Sequence, residues 1–268
     1  MKSSTVRLIV WSVIAVLILG IMLALFFMPS IFKHINFPFQ NVHRYVDSEK
    51  YQVGAGSADS VKKIRIDWID GEVEVVSGSV TSVMFSEEGA DNLSEERQLH
   101  WYNDDGTLYL RYSASGTRFW ANADKKLKVT VPENLSLEEL KIDAVSADTK
   151  IGNLCADMLE TDTVSGKVES DGDFRAMEMN TVSGNVTLRF SVSGRVPEKI
   201  NLDSVSGNIR ICLPEGTGFD AKIDSVSGDI ATDFRIAQMS KDRIVCGDGK
   251  LSIDVDSVSG DLEIRKIG

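Results

Sequence analysis

The 268-residue chain carries 40 acidic and 29 basic side chains, a net charge of −11, and that sign disfavours nucleic acid and anionic lipid as partners. With 43% hydrophobic residues it has material for a real core. Its three histidines, His34, His43 and His100, all precede the repeats of the second half, which excludes a Ser-His-Asp arrangement there. Cys155, Cys212 and Cys246 are widely spaced and form no Cys-x-x-Cys pair, so a zinc site is not expected. They read as isolated small buried residues, with a single disulfide as the alternative outside the cell.

In chain order, residues 1–7 form a short tail and residues 8–30 a membrane anchor. From Leu8 to Phe32 there is no charged side chain, and the run LIVWSVIAVLILGIMLALFFM is long enough to cross a bilayer as a helix. A cleaved secretory signal would have a shorter apolar core followed by a small-x-small site, and neither condition is met. Lys2 and Arg7 favour a cytoplasmic amino end, against Lys33 and Arg44 at the other end of the helix; the body is placed outside. Residues 31–60 read as a juxtamembrane linker.

Residues 61–135 read as an irregular N-terminal β region that caps the repeats of the second half. Strands are expected at Ile64–Ile69 and Glu72–Val76, joined through Asp70-Gly71, and a hairpin at Leu99–Tyr112 turning at Asn103–Gly106. The aromatic side chains Trp68, Trp101, Tyr109 and Trp120 would cover the open end of a stack; an aromatic binding platform is the alternative.

From residue 136 to 268 a unit recurs about every 20 residues, marked by Val-Ser-Gly or a close variant at Val145, Val164, Val182, Val205, Val226 and Val258, with spacings of 19, 18, 23, 21 and 32. With the valine as position zero, minus five (Leu140, Leu159, Met177, Ile200, Ala221, Ile253) and minus three (Ile142, Thr161, Met179, Leu202, Ile223, Val255) are mostly apolar, and minus four is polar. That period of two is a half-buried strand. Plus four and plus six begin a second strand. Between the strands lies corner chemistry: Ser165-Gly166, Ser183-Gly184, Ser206-Gly207, Ser227-Gly228 and Ser259-Gly260, with Ala147 replacing glycine in the first copy.

Equivalent positions keep one character from copy to copy. This favours an all-β, single-stranded parallel β-solenoid with like positions stacked over a row of antiparallel hairpins. The long last interval, around Arg235 to Asp248, reads as a loop bulging from one rung.

The outward column at minus two, Asp143, Asp162, Asn180, Asp203, Asp224 and Asp256, would stack at about 4.8 Å. Such like charges repel unless hydrogen-bonded or neutralised. One reading has each aspartate accept bonds from corner serines or backbone amides. The other makes a cation ladder of Asp143, Asp162, Asp203, Asp224 and Asp256, helped by Asp148, Asp229 and Asp261 at plus three. The first is preferred, because neither a glycine-rich calcium nonapeptide nor Asp-x-Asp-x-Asp-Gly is present.

The strand IRIDWIDGEVEV, the segment LKVTVP, the stretch LPEGTGF, the DSVSGDI-like units and the terminal GDGKLSIDVDSVSGDLEI together resemble the bacterial putative-adhesin family of β-strand-repeat proteins, over about residues 60–268. The resemblance implies a β-solenoid, often membrane-tethered, and supplies no catalytic residues to carry over.

The expectation is therefore a non-enzymatic, single-pass, extracytoplasmic binding or scaffold protein of the bacterial cell envelope, with no cofactor. An envelope glycan or a membrane protein would be its partner. A regulatory or sensor subunit of an envelope stress system, and a glycan-cleaving β-helix enzyme, are the rival readings.

Overall fold

Strands that alternate apolar and polar residues bury one face each, and here they do so by lying parallel, rung upon rung. The computed structural model describes residues 45, 47–117, 124–192, 194–240 and 242–267. The anchor at 8–30, most of the linker and Trp120 lie outside the described residues. Among those described, no helix is long and apolar enough to cross a membrane.

Each rung has a strand before the corner and a strand after it, so the stack has two sheets that share one core. In spatial order, the first two rungs are Thr107–Arg111 with Lys126–Pro132, then Lys63–Trp68 with Glu72–Gly78. The third starts at Ser136–Ala144 and continues into the long strand Asp148–Ser165, which crosses from the second sheet to the first to begin the fourth. A register shift between Gly152 and Cys155, with Asn153 at φ 50°, makes that crossing. Val168–Ser183 repeats the manoeuvre, ending rung four and beginning rung five, which Val186–Arg189 completes. Rung six is Lys199–Ser206 with Ile209–Pro214.

The next position is not occupied by the next segment of chain. Leu251–Ser259 with Leu262–Ile267 forms rung seven, lying between rung six and Phe219–Ser227 with Ile230–Thr232, which form rung eight. The stack is thus out of chain order at both ends: residues 107–132 lie outside residues 63–78, and the C-terminal segment inserts before a segment that precedes it. Residues 235–248 are correspondingly not a simple bulge. Ile236–Ser240 and Arg243–Cys246 form an antiparallel pair that lies along Phe219–Lys222 and covers the first half of rung eight.

The inside is filled as the alternation requires. Positions minus five and minus three are 0–4% exposed in all six copies. Phe174, Phe190 and Phe219 are fully buried between rungs. Each aliphatic side chain removed from water in this way contributes about 1.5–3 kcal/mol. Cys212 and Cys246 are buried and Cys155, contrary to the expectation of burial, is exposed; none is paired.

Residues 61–135 supply the first two rungs as well as a cover over them. His100–Asp104 and Val83–Glu88 lie antiparallel against the outer strands of rung one, and Gln52–Val53 and Gly56–Ala58 pair with those in turn. Beneath them is a buried ion pair: Lys125 Nζ lies 2.8 Å from a Glu87 carboxylate oxygen and donates to the Arg97 carbonyl at 2.8 Å and to the Tyr112 carbonyl. The ammonium sits 4.0 Å from the Tyr112 ring centre and 5.0 Å from that of Trp68. Burial pulls the Lys125 pKa down, opposed by the Glu87 carboxylate. Trp68, 1% exposed, is part of the core and not of a platform.

Candidate binding surface: the corner ladder and two outward faces

The Val-Ser-Gly corner is a set of contacts between rungs. A Cβ on Gly166 would lie 2.4 Å from the Ala147 carbonyl oxygen, one on Gly184 2.2 Å from that of Gly166, and one on Gly207 2.1 Å from that of Gly184. Gly260 meets Gly207, and Gly228 meets Gly260, in the same way at 2.1 Å. Only glycine allows so close a backbone approach at every step. Gly207, Gly228 and Gly260 moreover have φ of 132°, 130° and 122°.

The serines complete the corner by turning to the valine carbonyl of the preceding rung. Ser165 donates to the Val145 carbonyl from its backbone at 2.8 Å and its hydroxyl at 3.4 Å, and the Ser227 hydroxyl reaches the Val258 carbonyl at 3.3 Å. Ser183, Ser206 and Ser259 lie in register with Ser227 in the same column. The hydroxyls of Ser165 and Ser227 thus bond to backbone carbonyls rather than to the aspartates at minus two.

Position plus three does for the second sheet what serine does for the corner. Asp148 Oδ1 accepts the Lys167 backbone N–H at 2.8 Å, Asn185 Oδ1 that of Asn208 at 2.9 Å, Asn208 Oδ1 that of Asp261 at 3.0 Å and Asp261 Oδ1 that of Asp229 at 2.9 Å. A side-chain oxygen of one rung thus receives an amide of the next, the cross-rung counterpart of an Asx turn. Asn185 and Asn208 were not singled out in the sequence. Their signal is that they occupy the column of Asp148 and Asp261, where an amide oxygen serves as well as a carboxylate.

The outward faces differ in their charge. On the first sheet, Asp67, Asp143, Asp162, Asn180, Asp203, Asp256 and Asp224 stand in register. Lys141 is shared among Glu160, Asp143 at 3.7 Å and Asp162 at 3.4 Å, and Asn180 donates to Asp162 at 2.6 Å. That is incomplete neutralisation. Partial burial, with Asp162 and Glu160 adding to it against Lys141, pushes the Asp143 pKa up to about 6. Burial, then Glu178 and Asp254, raises that of Asp203. Among the described residues no group of His, Cys, Asp or Glu is arranged to hold a metal ion.

The second sheet alternates sign. Glu72 lies 3.1 Å from Lys126 and 3.2 Å from Lys150, Lys126 also reaches Glu74 at 3.0 Å, and Glu263 pairs with Arg210 at 2.7 Å and Arg265 at 3.2 Å. Hydrogen bonds to Arg265 and Arg210 hold the Glu263 carboxyl below its ordinary pKa, and Glu74 and Glu72 raise that of Lys126.

At the rung-one end the aromatic side chains are mutually covered. Tyr102 stacks on Tyr109 at 4.6 Å, Tyr51 meets Tyr102 edge-on at 4.5 Å, and Trp101 meets Phe85 at 4.8 Å. Arg111 binds Asp67, donates from Nε to the Tyr51 hydroxyl at 3.0 Å and lies 4.7 Å from the Tyr45 ring. Burial raises the Tyr45 and Tyr102 hydroxyls to about 12.

Parallel rungs, a Ser-Gly corner where backbones of successive rungs meet, a filled interior and charged outer faces define a β-solenoid. Residues 170–265 match the family model described as Toastrack DUF4097. The resemblance to the bacterial putative-adhesin family of β-strand-repeat proteins thus holds over that stretch. No curated protein matches the chain. Among solved structures, a putative cell adhesion protein from Clostridium sporogenes is 16% identical over 81% of this chain and 99% of its own, with a TM-score of 0.50, and shows the fold alone. A putative adhesin from Bacteroides fragilis is 16% identical over 82% and 98%, with a TM-score of 0.44. A putative lipid binding protein from Parabacteroides distasonis is 12% identical over 82% and 97%, with a TM-score of 0.28.

Proposed function

We propose that this chain is a non-enzymatic binding or scaffold protein, adhesin-like, held by residues 8–30 in the cytoplasmic membrane of a bacterium with its body on the outer side. The observation that carries the reading is the charged surface of a stack whose interior is filled: the chemistry on offer is repeated contact along a rigid face. An envelope glycan or a membrane protein is the partner such a face suits.

A glycan array probed with the full chain in detergent, followed by product analysis of any glycan it retains, tests the proposal. Retention without turnover supports it, and a cleaved product overturns it in favour of a glycan-cleaving enzyme. Protease accessibility in intact cells tests the orientation: the body should be digested without lysis.

One observation favours the regulatory reading as a second. The clasp of Tyr45 and Tyr51 on Arg111 ties the juxtamembrane linker itself to rung one, a connection through which anchor and body could act together. Exchanging residues 8–32 for an unrelated helix should then abolish regulation of an envelope stress response; intact regulation would count against it.

A further inference from the structure

Rung eight repeats the bonding groups of the rungs beneath it, yet among the described residues no rung lies beyond its second half. Three series of contacts show which groups face that side. In the first, the backbone N–H at plus four donates to the plus-three carbonyl of the next rung: Thr149 to Lys167, Val168 to Asn185, Val186 to Asn208, Ile209 to Asp261 and Leu262 to Asp229, at 2.7–3.0 Å. The next donor in that series is Ile230 N–H. In the second, a valine carbonyl receives the next rung's corner serine, as Val145 receives Ser165 and Val258 receives Ser227, and the next acceptor is the Val226 carbonyl. In the third, the plus-three side chain receives the next rung's plus-three amide, and the next acceptor is the Asp229 carboxylate.

The side chains show the same interruption. Plus four is 1–4% exposed at Thr149, Val168, Val186, Ile209 and Leu262, but Ile230 is 39% exposed, and Val226 is 67% exposed. The hairpin of residues 236–246 stops short of this half, since its pairing with rung eight ends at Lys222. A small cavity lies at this end of the stack, lined by Ile223, Ser225 and Ile230 of rung eight and, beneath them, by Val255, Leu262 and Ile209.

We infer that the second half of rung eight takes up one extended segment of a partner protein as a ninth rung, bent at a small Ser-Gly corner and carrying basic side chains outward. Strand addition to an open sheet edge gives affinity through the main chain and specificity through alternate side chains. The corner must be small, because a ninth rung would meet the Gly228 carbonyl as Gly228 meets that of Gly260. The outward charge follows from residues 223–232, which hold Asp224 and Asp229 and no basic residue. The same two carboxylates disfavour a second copy of this chain, since two such edges would bring like charges together. Rung one of another copy is covered by antiparallel strands and cannot serve either. The inference deepens the scaffold reading by naming a class of partner for one end of the stack.

The test is titration of the full chain in detergent with two nine-residue peptides that span only the uncovered part of the rung. One copies residues 256–264; in the other, its acids at 256, 261 and 263 are replaced by lysine. The lysine peptide should bind at least tenfold more tightly than the unaltered copy. Asp229→Ala, which removes the waiting acceptor, and Ile230→Pro, which removes the waiting donor at an edge where proline is tolerated, should each weaken it at least tenfold. Thermal melts that match the parent chain show that the variants fold. Equal binding of both peptides, binding of neither, or binding that both folded variants retain would overturn the inference. Glycan retention that survives Asp229→Ala would separate that failure from failure of the scaffold reading.

Discussion

At rung one the stack stops against antiparallel strands and a buried ion pair; at rung eight it stops against one hairpin that covers only the first half of the rung. The interior rungs are nearly interchangeable, each offering the next the same glycine carbonyl, valine carbonyl and plus-three oxygen. Periodicity therefore cannot end itself. At the first rung it is ended by residues that belong to no column, Glu87, Arg97, Tyr112 and Lys125. At the eighth, no described residue ends its second half, and the groups that would hold another rung face outward.

Breaking the closed end should have the largest effect. Lys125→Ala leaves Glu87 buried without its cation, and loss of one partner from a buried pair costs about 3–5 kcal/mol. Urea denaturation should show that loss, and a change below about 1 kcal/mol would mean that the ion pair does not hold the cap. Next come two isoleucines at equivalent positions. Ile209→Ala in rung six should destabilise by about 2–4 kcal/mol through the cavity it leaves. Ile230→Ala in rung eight should cost under about 1 kcal/mol, because that side chain is already partly in water. Equal losses would deny that the second end is open.

The corner glycines sharpen the contrast at a smaller scale. Gly260→Ala, held between rungs six and eight, should cost about 1–3 kcal/mol for strain at a positive φ and a clash with the Gly207 carbonyl. Gly228→Ala should cost less in thermal denaturation, since its rung has space to move outward.

The smallest effect concerns the acidic face. The folded-state pKa of Asp143 is about 6 against an ordinary carboxylate value of 3.8, so between these pH values the folded chain binds more protons than the unfolded one. Stability from this group falls as pH rises through that window. Asp143→Asn should accordingly stabilise at pH 7.5 and lose its advantage toward pH 4. Its side chain is 42% exposed, and with that much solvent screening the gain is about 0.5–1 kcal/mol. A gain that grows on acidification would reverse the sign and refute the assignment.

Much of a single rung was legible in the sequence. Alternation at minus five to minus three, serine and glycine at the corner and the outward parity of the minus-two aspartates all follow from the period of two, and the structure places them accordingly. The sequential order of the rungs was not legible, for a physical reason. Ser206 and Gly207 would fit Ser227 and Gly228 as well as they fit Ser259 and Gly260, so in-register columns do not say which copy neighbours which. The only trace is the interval of 32 residues between Val226 and Val258, long enough to build the hairpin at 236–246 and return. Nor did the chain announce Lys125. It shares the inward parity of Leu127 and Val129, but its partners, Glu87 and the Arg97 and Tyr112 carbonyls, come from segments distant in sequence. The plus-three acids were read as helpers of a cation because their backbone partners lie in other rungs, about 20 or more residues away.

The insertion of residues 251–267 between rungs six and eight is the claim on which the open end depends, and cross-linking measures it most directly. With Cys155, Cys212 and Cys246 replaced by serine, Asp203→Cys paired with Asp256→Cys should form a disulfide under mild oxidation. Their Cα atoms are in-register neighbours about 4.8 Å apart, within disulfide reach. Asp203→Cys paired with Asp224→Cys should not, being separated by a whole rung. Efficient cross-linking of the second pair, with none of the first, would mean that the rungs stack in chain order and would contradict the account.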